Sequence, residues 1–197
     1  MRLTKKMGAL ATASIAALSI LPSAAQASAA SKQPGRASSE ISAAVNCTDT
    51  WPQFRLRSRA TGKYVAVEYL YTGDRYAMLR ARADYNNANT FTMCTIDGTT
   101  NIWVGLKVVG GSYVTAEVNH PGAMDGMLRA RSSTVGSWEQ FDILCASSNG
   151  PDLCDIRSRG TGHYVTTEVN YPGGDDGMLR ARSSTVGSWE QFYAEGM

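Results

Sequence analysis

Apolar and polar side chains alternate with a period of two over several short stretches of the chain. In Arg55-Leu56-Arg57, Tyr64-Val65-Ala66-Val67 and Leu79-Arg80-Ala81-Arg82 the alternation is that of a strand with one face buried. Gly62, Gly73, Gly126 and Pro172-Gly173-Gly174 fall between such stretches as turn signals. A helical period is almost entirely missing, so the pattern predicts an all-β protein.

The pattern is written three times. Tyr64, Tyr113 and Tyr164 are offset by 49 and 51 residues, and so are Glu68, Glu117 and Glu168, and Leu79, Leu128 and Leu179. Residues 125–141 return letter for letter as 176–192, while the first copy has diverged and has no tryptophan answering Trp138 and Trp189. A fourth apolar stretch closes each copy at 91–96, 141–145 and 192–195. A period of this length marks a repeat architecture. Three copies of four strands predict twelve strands in repeats of approximately 50–100, 101–150 and 151–197. An open array would leave sheet edges exposed, whereas closure removes them. The expected fold is therefore a β-trefoil over 47–197, with a small three-bladed propeller as the alternative.

The order Gly-Lys-Tyr-Val-x-x-Glu, then Leu-Arg-Ala, then Trp-Glu-x-Phe resembles the fascin-like β-trefoil (actin-cross-linking-type) superfamily. The resemblance covers all three copies, as a single secreted module of bacterial type. It implies a β-trefoil and, through similar accessory modules on bacterial glycan-degrading enzymes, carbohydrate binding. Fascin-type actin binding is an alternative, although fascins bundle actin with several trefoils in tandem. The Gln-x-Trp of ricin-type lectin trefoils is absent from this sequence, so no sugar-site residues carry over from them.

The amino terminus changes the charge picture. Arg2, Lys5 and Lys6 precede an apolar run over 7–21, followed by Pro22 and the small-x-small triplet Ala25-Gln26-Ala27. These parts predict a signal peptide over 1–27 and a secreted, extracellular product, followed by a flexible leader over 28–46 rich in Ala and Ser. Across all 197 residues, 19 Lys+Arg stand against 17 Asp+Glu. Loss of residues 1–27 removes three positive charges and no acid, so the mature chain is slightly acidic. Broad electrostatic binding of nucleic acid is thereby excluded, and no membrane span is expected in the mature form.

Export makes Cys47, Cys94, Cys145 and Cys154 candidates for two disulfides. Three pairings are open. Cys145 and Cys154 flank a Ser-Asn-Gly-Pro turn and close easily, which leaves Cys47 for Cys94. Neither the cysteine spacing nor the two histidines suggest a zinc site, and no cofactor is expected.

Catalytic chemistry is thin. His120 and His163 occupy different places in their copies, and the acidic pair Asp175-Asp176 reads as a solvated turn. No catalytic residue is assigned, and the chain is expected not to be an enzyme. The pairs Arg80/Arg82, Arg129/Arg131 and Arg180/Arg182 point away from the apolar face. They are expected to pair across the hairpin with Glu68, Glu117 and Glu168, the alternative being anion sites for charged glycans. Trp138 and Trp189 are expected in core or cap packing.

The loop between the second and third strands offers the best candidate site. Tyr71, His120 and Tyr171 occur three residues after the glutamates, Asn119 and Asn170 precede the latter two, and Asp125 and Asp176 follow. A ring beside an amide and a carboxylate suits a hydroxyl-rich ligand, giving a stacking face, donors and acceptors. The expected function is non-catalytic binding of extracellular or cell-wall polysaccharide or glycan through these loops. The alternative is a protein-binding module such as a secreted protease inhibitor.

Overall fold

The computed structural model describes residues 45–47, 52–96, 103–147 and 150–196. The expected signal peptide, and all of the expected leader except Val45 and Asn46, lie outside the described residues. Those described belong to one unit, Ile41–Met197.

Among the described residues all the regular structure is strand, apart from single 3-10 turns. The strands are β1 (Val45–Asn46), β2 (Phe54–Ser58), β3 (Tyr64–Glu68), β4 (Met78–Ala83), β5 (Phe91–Ile96), β6 (Val104–Val108) and β7 (Tyr113–Ala116). They continue with β8 (Leu128–Ser132), β9 (Gln140–Ala146), β10 (Asp152–Ser158), β11 (Tyr164–Thr167), β12 (Leu179–Ser183) and β13 (Gln191–Gly196). Thirteen strands are thus seen among the described residues, not the expected twelve. The addition is β1, whose Val45 and Asn46 pair with Ile96 and Thr95 of β5. Part of the expected leader is therefore ordered strand. The Cys47–Cys94 disulfide holds it there, and sequence periodicity cannot report a tether of this kind.

β2, β5, β6, β9, β10 and β13 pair in that order, and β13 returns to β2, closing a barrel. Closure satisfies the strand edges that an open sheet would expose and rules out three separate blades. The other strands form the hairpins β3–β4, β7–β8 and β11–β12. Each hairpin carries a register shift at the same place, after Tyr64, Tyr113 and Tyr164.

The period-two pattern sets the core. Phe91, Phe141 and Phe192 are fully buried with Leu56, Leu106 and Ile156 inside the barrel, and Leu79, Leu128 and Leu179 join them from the hairpins. The three hairpins meet where Met78, Met127 and Met178 form a second, fully buried cluster. Backbone bonds lock that junction. Ala81 N–H donates to Gly177 O, Ala130 N–H to Ala77 O and Ala181 N–H to Gly126 O, at 2.7, 2.9 and 2.7 Å. Position for position, each hairpin is thus bonded to the next.

Both expected disulfides form, Cys47–Cys94 and Cys145–Cys154. Among the described residues no helix is long and apolar enough to cross a membrane.

Candidate functional site

The arginine–glutamate pairs are the first polar feature built by the hairpins. Arg82 donates two hydrogen bonds to Glu68, at 2.6 and 3.1 Å. Arg131 and Arg182 make the equivalent double contacts with Glu117 and Glu168. Hydrogen bonding to the glutamates raises the pKa of Arg82 and Arg131 above the ordinary guanidinium value. The first arginine of each pair departs from the expectation that both point outward. Arg80 is buried, and its Nε donates to Asp176 O at 2.8 Å. Arg129 reaches Tyr76 O and Arg180 reaches Asp125 O, at 2.8 and 3.0 Å. These side chains tie neighbouring hairpins together, and each also lies 3.3–3.8 Å from its own copy's glutamate. Two cations on one carboxylate leave little charge free for an anionic ligand.

The residues of the candidate loops separate into two places. Tyr71 and Tyr171 pack against the methionine cluster at the hairpin junction. Tyr71 Oη accepts from Arg80 at 2.7 Å, and Tyr171 Oη donates to Ala123 O at 3.5 Å. His120 sits with 15% of its side chain exposed and its Nε2 3.8 Å from Asp74 of the first copy's loop. The three rings are thus packed at loop contacts, not presented side by side. Asn119 and Asn170 adopt left-handed backbone at φ 60° and 59°, a conformation asparagine tolerates in turns.

Asn119 and Asp125 instead help to line a groove of about 310 Å³ between the second and third copies. Its other wall is Gly160, Thr161 and His163 from the turn between β10 and β11, with Arg180 and Arg182 from β12. Trp138 borders this wall. A Cβ placed on Gly160 would lie 3.0 Å from the indole Cδ1 and 3.3 Å from Val118, so the glycine permits the close approach of the ring. Trp138 is 42% exposed and Trp189 51%, so of the expected core or cap packing the core is excluded. The adjacent Gln140 and Gln191 bond Arg159 and Arg59, and Phe141 and Phe192 fill the barrel. Trp138 belongs to the single 3-10 turn Ser137–Glu139 that leads into β9, so it precedes the strand whose Phe141 enters the core.

Two further positions differ from expectation or were not singled out. Asp175 is buried and accepts two hydrogen bonds from Arg75, at 2.6 and 2.8 Å, so it joins the first and third hairpin loops and is not a solvated turn former. His163 stands out only by replacing Lys63 in an otherwise shared Thr-Gly-x-Tyr turn. That substitution was the available signal for its place in the groove. Among the described residues, the side chains of Asn119, Asp125 and His163 have no hydrogen-bond partner, and no cluster of three or more His, Cys, Asp or Glu could hold a metal ion.

No protein-family model matches the chain, and no curated protein sequence is similar to it. Solved structures are similar. The designed three-fold symmetric protein ThreeFoil matches 74% of this chain and 99% of its own, with a TM-score of 0.54 and 18% identity. The BEL β-trefoil matches 74% of this chain and 93% of its own, with a TM-score of 0.54 and 12% identity. A proteinase inhibitor from Coprinopsis cinerea matches 75% and 98%, with a TM-score of 0.51 and 14% identity. Together with the closed barrel and its three hairpins, these likenesses define the fold as a β-trefoil.

Proposed function

We propose that the chain is a secreted, non-catalytic carbohydrate-binding module of fascin-like type, with three repeats and its main site in the groove between the second and third. The observation that carries this reading is a half-exposed Trp138 beside a groove with unpartnered amide, carboxylate and imidazole side chains. An indole stacks on the apolar face of a sugar ring. Asp125 accepts from ligand hydroxyls, while Asn119 and His163 can each donate or accept. The arginines are already neutralised by Glu168, so binding is led by stacking and neutral hydroxyls.

Asn170, Asp176 and Trp189 hold the matching positions between the third and first copies, where Lys63 is drawn to Asp84 at 2.9 Å. The first copy has no tryptophan at the position of Trp138 and Trp189, so two sites are expected, not three. Two weak sites on one body gain avidity on an insoluble polymer.

Co-sedimentation with a panel of insoluble polysaccharides tests the reading. Retention on one polymer is expected to be little changed by salt, weakened at least tenfold by Trp138→Ala, and weakened further by adding Trp189→Ala. No retention on any polymer, or retention indifferent to Trp138 and Asp125, contradicts it.

Protein binding is the second reading, favoured by Leu70, which is 95% exposed beside the half-exposed Tyr69 in the first hairpin loop. Inhibition of a protease that is lost in Leu70→Asp and kept in Trp138→Ala would select it.

A further inference from the structure

Three kinds of surface meet in the groove between the second and third copies. The first is apolar. Val118 lines the groove half-buried, and a Cβ placed on Gly160 would lie 3.3 Å from Val118 Cγ2 and 3.0 Å from Trp138 Cδ1. The valine methyl and the edge of the indole therefore close on the same glycine. The second surface is an acceptor. Asp125 is exposed, and its carboxylate forms no ion pair among the described residues, because the nearby Arg180 and Arg182 are held by Glu168. The third surface donates: Asn119 and His163 are both exposed on the lining, and each carries an N–H.

The same set returns in the third copy and is lost as a whole from the first. Val169, Asn170, Asp176 and Trp189 match Val118, Asn119, Asp125 and Trp138, whereas the first copy has Tyr69, Leu70 and Tyr76 at the first three positions and no tryptophan at the fourth. The first copy still forms its hairpin, and Arg82 still bonds Glu68 as Arg131 bonds Glu117 and Arg182 bonds Glu168. The hairpin thus uses the ion pair in every copy and folds without the valine, the amide, the carboxylate and the indole, which leaves those four to a ligand.

We propose, resting on the carbohydrate reading of this groove, that the sugar it takes is a 2-acetamido hexose, the unit of chitin. An acetamido group answers all three surfaces at once. Its N–H only donates and meets the acceptor-only carboxylate of Asp125, and its carbonyl accepts from Asn119 or His163. Its methyl covers Val118, while the sugar ring lies on Trp138. A hydroxyl at the same ring carbon leaves the valine methyl in water. An ammonium there gains Asp125 but offers nothing to Val118 and no acceptor to Asn119. The acetamido sugar is neutral, in keeping with retention that salt changes little.

Three trimers of one linkage that differ only at the second ring carbon test this: tri-N-acetylchitotriose, cellotriose and chitotriose, which carry acetamido, hydroxyl and ammonium groups. They are titrated by calorimetry into the disulfide-bonded Trp189→Ala chain, which keeps only the groove at Trp138, in about 1 M salt, where exposed charge pairs are screened. The acetamido trimer is expected to bind about tenfold or more tightly than either of the others, and the parent chain should sediment with chitin in preference to cellulose. Adding Val118→Ser and Asp125→Ala together should remove the preference among trimers, whereas adding Trp138→Ala should weaken every trimer. Thermal melts of each variant separate loss of the site from loss of the fold. No saturable binding of the acetamido trimer, equal affinity for the three, or retention on cellulose over chitin overturns the acetamido proposal and leaves the stacking groove standing. A folded Val118→Ser/Asp125→Ala chain that keeps the preference overturns it as well. Absence of retention on any polymer overturns the carbohydrate reading and this proposal together.

Discussion

Replacing Gly126 with alanine sets two general effects against each other. At a position whose backbone alanine can adopt, the change stabilises by about 0.4–1 kcal/mol, because the unfolded chain loses freedom. Gly126 is not such a position. Its φ is +78°, and an added Cβ would lie 2.7 Å from the carbonyl oxygen of Ala181. Left-handed backbone costs an alanine about 1–2 kcal/mol. Relief of the contact must also stretch the bond from Ala181 N–H to Gly126 O, 2.7 Å long, with about 1 kcal/mol at stake. The net expectation is a destabilisation of about 1–3 kcal/mol.

The other copies act as controls. Gly177 lies at φ +79° with a looser 3.1 Å approach to Ala81 O, so Gly177→Ala should cost less. The first copy already holds Ala77 at φ 60°, so Ala77→Gly relieves strain at about the cost of added chain freedom and should fall within about 1 kcal/mol of neutral. Equilibrium urea unfolding of the three variants measures the order, and thermal melts should move by roughly 2–4 °C for each kcal/mol. A Gly126→Ala chain as stable as its parent, or a larger loss from Ala77→Gly, would refute the account of the hairpin junction.

Glu168 is 5% exposed and holds Arg180, at 13%, together with Arg182, at 47%. In urea unfolding Glu168→Ala should therefore cost about 3–5 kcal/mol by stranding a buried cation, while Arg182→Ala should cost about 1 kcal/mol or less; equal losses would contradict the burial argument. The disulfides close loops of 47 and 9 residues, so replacing Cys47 and Cys94 with alanine should cost about 4 kcal/mol and replacing Cys145 and Cys154 about 2.6 kcal/mol, as chain entropy requires, measured by the same unfolding assay. Burial pushes the Glu195 carboxyl up, but hydrogen bonds from Tyr64 and Arg57 outweigh it and hold the carboxyl below its ordinary value of 4.5. Its stabilisation is complete above that value and is lost as pH falls through the lower folded-state value, so the stability gap between the parent and Glu195→Gln should narrow in acid; a gap constant from pH 7 to pH 2 would refute this.

Local order in the sequence was enough to determine much of this protein. Period-two alternation placed the strands, because the pleat itself has that period. The matched tyrosines, leucines and glutamates revealed the three copies, and alternation along Leu179-Arg180-Ala181-Arg182 put Arg182 within reach of Glu168. Cysteine spacing led to the disulfide pairs. The tertiary structure decided the rest, because it turns on which copy faces which. Tyr71, His120 and Tyr171 occupy related places in their loops, yet packing at the hairpin junction and against a neighbouring loop draws them away from Asn119 and Asp125. The groove needs His163 and Gly160 from the next copy, and no spacing along one strand encodes that approach. Trp138 lies in the turn that leads into β9 and Phe141 inside the barrel, and that barrel exists only once six strands from three copies close on themselves. Contacts between residues some fifty positions apart carry no local period, so only the folded barrel could show them.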